Sequence, residues 1–412
     1  YSKSMNKTYL YRLDWLVILC YLSLVLFGAL NIYSSTFDNN LNKVFVLESL
    51  TGKHIIIFIV SLVFGSFILF IRTQFFQQLS YLIYFISLLL LIGLFFFGET
   101  INSAKSWYII KGFSIQPSEI AKIGTAFAIS RYLSDFNTDI KEFRSLFKGL
   151  ILIFIPSILI ILQPDPGSAI IFGSFFLIFF REGLSFKYLI FSFLGLILFV
   201  STLIIPIKYI IILTTILSLF IFYFFNRYNK KTKVFPFFMF LMFSSAFILS
   251  VNFIFNSVFE QRHRDRFNII LGLVEDSKGL GYNINQSKIA IGSGGLTGKG
   301  FLQGTQTKGN FVPEQQTDYI FTTVAEEWGF IGSSFLILIF VILIIRMVNQ
   351  AEKQKNIFRR NFIYGICCLI FSHFTINIGM SLGLLPTVGI PLPFVSSGGS
   401  TLLSFSLLIF IY

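Results

Sequence analysis

The chain has 412 residues, 55% of them hydrophobic and only 12% charged, with a formal net charge of +13. Soluble domains carry about 25% charged residues. The apolar residues here fall in runs of roughly 20, long enough to cross a hydrocarbon core about 30 Å thick as helix, so composition excludes a soluble fold. The cations lie between those runs, where they report topology and not a nucleic-acid partner.

The first apolar run begins at Trp15 and no small-residue cleavage site follows it, so it reads as a retained helix and not a signal peptide. Twelve spans are predicted in all: 15–34, 54–71, 79–98, 116–134, 147–163, 167–181, 187–206, 209–226, 235–256, 330–347, 361–383 and 398–412. Only Pro206-Ile207-Lys208 separates the seventh from the eighth. The expected fold is an all-α polytopic membrane protein, one integral membrane domain over residues 1–412, interrupted by a large polar loop at 257–329. No repeat period is visible. Cys20, Cys367 and Cys368 fall inside predicted helices, and His54, His263 and His373 are scattered, so neither a disulfide framework nor metal-ligand spacing is present.

Lys and Arg set the orientation. The segments on one side (the N-terminus, 72–78, 131–148, 181–187, 227–233 and 346–360) carry 19 of them, and the short segments on the other carry 5. Both ends are therefore expected in the cytoplasm, and the 257–329 loop outside. Four polar pieces then share the external face: 99–118, 163–167, the 257–329 loop and 386–400. Packed helices are expected to gather them around one cleft.

In chain order, Gln116-Pro117-Ser118-Glu119-Ile120-Ala121-Lys122 opens a span with helix-start signals. Glu119 and Lys122 are three apart, hence on one face. Burying either charge alone costs about 2.5–3.5 kcal/mol, so they are expected to pair and face the bundle interior, as a structural ion pair or as part of a substrate cleft. Asp165 sits in Pro164-Asp165-Pro166-Gly167, which is nearly all turn chemistry; it forms a turn or walls the cleft. Arg262, Arg264 and Arg266 alternate with His263 and Asp265, and guanidinium groups suit bidentate phosphate binding. The run Ile291-Gly292-Ser293-Gly294-Gly295-Leu296-Thr297-Gly298-Lys299-Gly300 resembles a phosphate loop but has Gly300 where Ser or Thr is needed. Its amides suit a pyrophosphate cradle; a flexible connector is the plainer role.

The densest polar cluster is Pro313-Glu314-Gln315-Gln316-Thr317-Asp318-Tyr319-Ile320-Phe321, followed by Glu326 and Glu327. A carboxylate beside the membrane can serve as general base, cation ligand or substrate clamp, and can equally cap a helix or solvate a loop. Asp318 is the first choice for chemistry. The last piece, 389–400, begins Gly389-Ile390-Pro391-Leu392-Pro393-Phe394. Pro and Gly at membrane depth are tolerated where backbone lines a protein-buried cavity, and a re-entrant turn with packing duties alone is the plainer role.

Together these segments resemble the SEDS family of peptidoglycan glycosyltransferases, typified by RodA and FtsW. The matching pieces are Ala104-Lys105-Ser106-Trp107, Gln116-Pro117-Ser118-Glu119 with Lys122, Gln163-Pro164-Asp165 with Gly167, Ile291-Gly292-Ser293-Gly294-Gly295, Pro313-Glu314 with Thr317-Asp318, Glu326-Glu327, and Pro391-Leu392-Pro393-Phe394 with Gly398-Gly399-Ser400. Gly304-Thr305-Gln306 and Trp328 look more like the RodA branch. The family usually has ten spans, and two extra ones around 187–226 preserve its topology. The chain departs from the family at Gln316, where His is usual, at Ser397, where Tyr is usual, and at Pro166, where Leu is usual.

The resemblance implies polymerisation of lipid II in the bacterial inner membrane during elongation and rod-shape maintenance. The donor would be a glycan linked through pyrophosphate to undecaprenol, and the acceptor the 4-hydroxyl of the lipid II N-acetylglucosamine. Displacement would invert the anomeric centre to a β-1,4 bond. Asp318 would be the catalytic base, with Lys105, Trp107, Glu119, Lys122, Asp165, Arg262, Arg266, Lys299, Glu314, Thr317, Ser396 and Ser400 binding substrate. Lys105, Arg262, Arg266 and Lys299, or a divalent cation (Mg2+ or Mn2+), would neutralise the leaving pyrophosphate; no organic cofactor is expected. Trp107 would stack on a sugar or sit in the interfacial belt. The implied partner is a class B penicillin-binding protein. A lipid II flippase, a scaffold for the transpeptidase and a division-type paralogue are the alternatives.

Overall fold

The computed structural model describes residues 13–37, 49–101, 104–110, 113–228, 234–258, 261–273 and 280–412. A chain in lipid must satisfy its backbone polar groups within each segment, which selects helices. Each of the twelve predicted spans is helical. They are α1 (Trp15–Thr36), α2 (Leu50–Ile68), α3 (Thr73–Phe97), α4 (Pro117–Ser134), α5 (Phe143–Ile161), the pair α6 (Pro166–Phe172) and α7 (Phe176–Arg181), α8 (Phe186–Ile204), α9 (Ile207–Tyr228) and α10 (Val234–Phe253). After α11 (Gln261–Ile270), α12 (Leu280–Ser293) and α13 (Thr305–Lys308) come α14 (Ile320–Lys353), α15 (Ile357–Ser381) and α16 (Gly399–Ile411). Among the described residues, nine helices are long and apolar enough to cross a membrane. The other spans are short, or carry charge as α4 does. The chain is a multi-pass helical membrane protein.

Two segments differ from expectation. Residues 99–115, expected as part of the polar external piece 99–118 with no strand assigned, form a small antiparallel sheet of β1 (Glu99–Ile101), β2 (Ala104–Ile110) and β3 (Phe113–Ile115), ordered β1-β2-β3. The 257–329 loop is largely helical. Its last ten residues belong to α14, which continues through a break at Gly329 (φ 64°, ψ −160°) into the membrane span. Glycine is the residue that takes this backbone conformation without strain.

The helices divide into two compact units, one from the described parts of Tyr1–Leu184 and Asn283–Tyr412, the other from Ser185–Tyr282. The second unit holds α8 to α11, with Phe199 and Phe255 each edge-on to Phe267. The first unit carries the main core, where α4 and α15 meet. There Phe127 stacks on Phe362 at 4.6 Å between centroids, and on Phe76 at 5.6 Å. One end of this unit is sewn by ion pairs: Arg181 with Glu352, Arg360 with Glu182 at 2.6 Å, and Arg346 with Asp14 at 2.8 Å. The opposite end holds the polar loops.

Candidate active site

The loop before α14 is folded on its own carbonyls. Glu314, exposed and at φ 54°, accepts at its backbone oxygen from the amides of Thr317 (3.1 Å) and Tyr319 (3.2 Å), while the Thr317 hydroxyl donates to its carboxylate at 3.0 Å. Gln315 is buried beneath, its side-chain amide donating to the carbonyls of Ser35 and Thr307. This loop lies along residues 386–398. Ser397 N donates to Gln316 O at 3.0 Å, and Ser396 Oγ donates to Thr317 O at 2.5 Å. Asn377 Nδ2, from α15, donates to Asp318 O and Ile390 O, both at 2.8 Å. Asp318 is half-buried, and Tyr319 takes the N-cap position of α14. A Cβ added to Gly389 (φ +71°) would stand 3.3 Å from Asp318 Oδ2, so the carboxylate lies against the open side of that glycine.

The other two polar pieces join the same end. Asp165 caps α6, accepting from Ser168 N at 3.0 Å and Ser168 Oγ at 2.7 Å, and also takes Gln116 Nε2 at 3.3 Å. Ser400 Oγ donates to Ser114 O at 3.0 Å and accepts from Gln116 N at 3.2 Å, tying β3 to the start of α16. The pieces 99–118, 163–167 and 386–400 and residues 313–319 of the long loop therefore converge through direct hydrogen bonds or close packing.

Beneath them runs a buried polar chain. Lys122 Nζ lies 2.7 Å from Glu119 Oε1 and 2.9 Å from His373 Nε2, and the Thr401 hydroxyl adds to Glu119 at 3.2 Å. An ammonium can only donate, so Nε2 accepts and the ring proton sits on Nδ1, which donates to Pro391 O at 3.0 Å. The expected Glu119–Lys122 pair is formed and faces inward. Its link to the 389–397 loop runs through His373.

The Gly-rich segment is engaged by α14. Where the helix breaks at Gly329, the carbonyls of Glu326 and Glu327 accept from Lys299 N and Gly300 N, both at 3.0 Å. The amides of Phe330 and Ile331 donate to Gly295 and Leu296. Lys299 Nζ binds Glu326 Oε1 and Thr305 Oγ1, each at 2.7 Å, and the same carboxylate accepts from Gln306 N and Thr307 N at the start of α13. Two of the amides expected to cradle a pyrophosphate are thus occupied by carbonyls, and Lys299 by a buried carboxylate. Lys105 Nζ donates to Phe95 O at 2.8 Å, at the end of α3, and Trp107 stands half-buried on β2. Ser396 is buried under the cleft floor, engaged by Thr317 O and Leu392 N. The Arg262 side chain lies outside the described residues; Arg266 is half-buried on α11, in the second unit. Asn377, His373 and Gln315 are the site residues that sequence reasoning missed. Their one signal was polarity inside or beside an apolar span.

Fold and loops together define a multi-pass helical membrane protein with a carboxylate-bearing polar site at one end of its bundle. The family model FTSW_RODA_SPOVE, described as Cell cycle protein, matches residues 14–233 and 210–412, and the chain belongs to that family. Peptidoglycan glycosyltransferase MrdB of Escherichia coli (strain K12) is 30% identical over 395 residues, which is 95% of this chain and 90% of MrdB. Peptidoglycan glycosyltransferase RodA of Treponema pallidum (strain Nichols) is 30% identical over 413 residues, 94% of each chain. Two solved structures share the fold. One, described as structural coordination of polymerization and crosslinking by a peptidoglycan synthase complex, has a TM-score of 0.71 at 23% identity, with 97% of each chain covered. The other, the rod shape determining protein RodA of Thermus thermophilus, has a TM-score of 0.61 at 20% identity, covering 97% of this chain and 95% of that one.

Proposed function

We propose that this chain is a peptidoglycan glycosyltransferase that polymerises lipid II during cell-wall elongation, with Asp318 as its base. The class rests on family membership and on relatives named for that activity. The single observation that carries the residue assignment is the placement of Asp318. Its carboxylate stands at the seam of loops 313–319 and 386–398, at the end of the bundle opposite the ion pairs. In the reaction Asp318 takes the proton of the acceptor 4-hydroxyl as that oxygen attacks the anomeric carbon of the donor. The bond from that carbon to the pyrophosphate oxygen breaks, and the electron pair leaves with undecaprenyl pyrophosphate. Attack from the opposite face inverts the centre.

The leaving charge needs a cation. Lys299, Lys122 and Lys105 are each engaged within the protein, and a divalent ion is proposed for the role. Among the described residues no group of three or more His, Cys, Asp or Glu gathers to hold a metal, so no step is routed through one. The cation-rich ion-pair end supports a cytoplasmic placement of both termini and an external site. A class B penicillin-binding protein is the proposed partner, since the relative with the higher TM-score is described as part of a complex that also crosslinks.

The test is purified chain with labelled lipid II, with Mg2+, Mn2+ or a chelator, and the glycan products resolved on a gel. Wild type gives a ladder, alone or with its transpeptidase, and Asp318→Ala loses at least about a hundredfold in rate. Full turnover by Asp318→Ala would remove Asp318 as base. A wild type inert under every condition would remove the polymerase reading.

A further inference from the structure

Asn377 lies one helical turn beyond His373 on α15, so the two share a face. The two residues hold consecutive carbonyls of one loop, His373 that of Pro391 and Asn377 that of Ile390. Asn377 does more. Its single amide nitrogen also donates to the carbonyl of Asp318, so one fully buried group bridges the loop that carries the carboxylate and the loop that floors it. Its orientation is fixed by chemistry, because only the nitrogen can face two carbonyls. The amide oxygen has no hydrogen-bond partner among the described residues. A side chain held this way keeps its donor in place at the expense of its acceptor.

We infer that Asn377 is the positioning residue for Asp318: by clamping the Asp318 and Ile390 carbonyls together, it sets where the carboxylate stands against Gly389. This rests on Asp318 being the base. A base works within about 2.6–3.2 Å of the proton it takes, and a displacement near 1 Å costs about a hundredfold in rate. Ser396 supplies a neighbouring stitch, from its hydroxyl to the Thr317 carbonyl. The loop is thereby held at two successive residues, with Asn377 acting on the one that reacts.

The experiment compares wild type, Asn377→Asp and Ser396→Ala as purified full-length chains polymerising lipid II. Asn377→Asp keeps the side chain's shape but turns acceptor oxygens toward two carbonyls. The expected result is a kcat lower by about a hundredfold with KM for lipid II within about threefold, the pattern of an interaction that matters in the transition state and not in ground-state binding. Ser396→Ala should show the same split at about tenfold. A residue with packing duties alone would lower the melting temperature and the active fraction while leaving the kcat of the folded fraction unchanged. Wild-type kcat in folded Asn377→Asp, or a raised KM with kcat intact, overturns the inference. Should Asn377→Asp fail to fold, Ser396→Ala decides: a lowered kcat supports the clamp and an unchanged one overturns it. An active wild type with inert Asp318→Ala and fully active Asn377→Asp would sink this inference alone. Full activity in Asp318→Ala would sink the base assignment on which it rests.

Discussion

Lys122 shows how one residue can be satisfied where water is absent. Its ammonium finds a carboxylate at 2.7 Å and an imidazole nitrogen at 2.9 Å, while its side chain and that of Glu119 are almost wholly buried. Removing one member of such a pair costs more than removing both, because the survivor keeps an uncompensated charge. Lys122→Met should therefore destabilise the protein by about 3–5 kcal/mol, and adding Glu119→Gln to it should recover most of that loss. Thermal unfolding in detergent reads both; equal losses in the single and double variants would contradict it. The pair itself was readable from its spacing of three on a helix. His373 was not, because its partners Lys122 and Pro391 meet it only once α4, α15 and the loop before α16 have packed. A lone histidine in an apolar run carries no local mark of such a role.

At the scale of elements, α14 is the instructive case. Hydropathy begins its span at 330, since Glu326, Glu327 and the glycines near them interrupt the apolar run. The structure carries the helix back to Ile320 because those carboxyl groups find partners from elsewhere, Glu326 in Lys299 and α13, and Glu327, at one of its oxygens, in Ser34. No single-segment pattern can anticipate that compensation. The same holds for β1 to β3, two of whose strands are only three residues long. The break at Gly329 is the joint of this arrangement. A Cβ there would collide with Gly298 N and the Leu296 carbonyl in a backbone conformation that side chains avoid. Gly329→Ala should cost about 1–3 kcal/mol and loosen residues 294–308. Limited proteolysis would show earlier cleavage there, with the melting temperature lowered; an unchanged cleavage pattern would mean the joint is not needed.

Across the whole first unit, the two ends are held by different chemistry. The span pattern and the asymmetry of Lys and Arg made the helices and the two faces readable from sequence, and the convergence of four polar pieces was expected from that alone. Which atoms would hold them together was not, since the bonds run mostly to backbone carbonyls. The ion-pair end answers to acid. Burial raises the Asp14 carboxyl, but the hydrogen bond and charge of Arg346 outweigh burial and hold it below its usual range. A group depressed in the folded state stabilises above its unfolded value, about 3.9, and that contribution is lost as the pH falls through the lower folded value. Asp14→Asn should lower the melting temperature at neutral pH, with the gap from wild type closing below about pH 3.9. A gap that persists in acid would assign the effect to packing.

The seam at the other end is tied at the peptide oxygens of Gln316, Thr317, Asp318, Ile390 and Pro391. Every residue type presents that same atom. Evolution can therefore exchange the side chains riding on these positions without untying the knot, and Gln316 is a case in hand: what the family usually places there is an imidazole, yet the anchoring oxygen is indifferent to the swap. Such a scaffold separates the shape of the cleft from its chemistry, so new substrate preferences can be tried at the rim while the architecture underneath stays put.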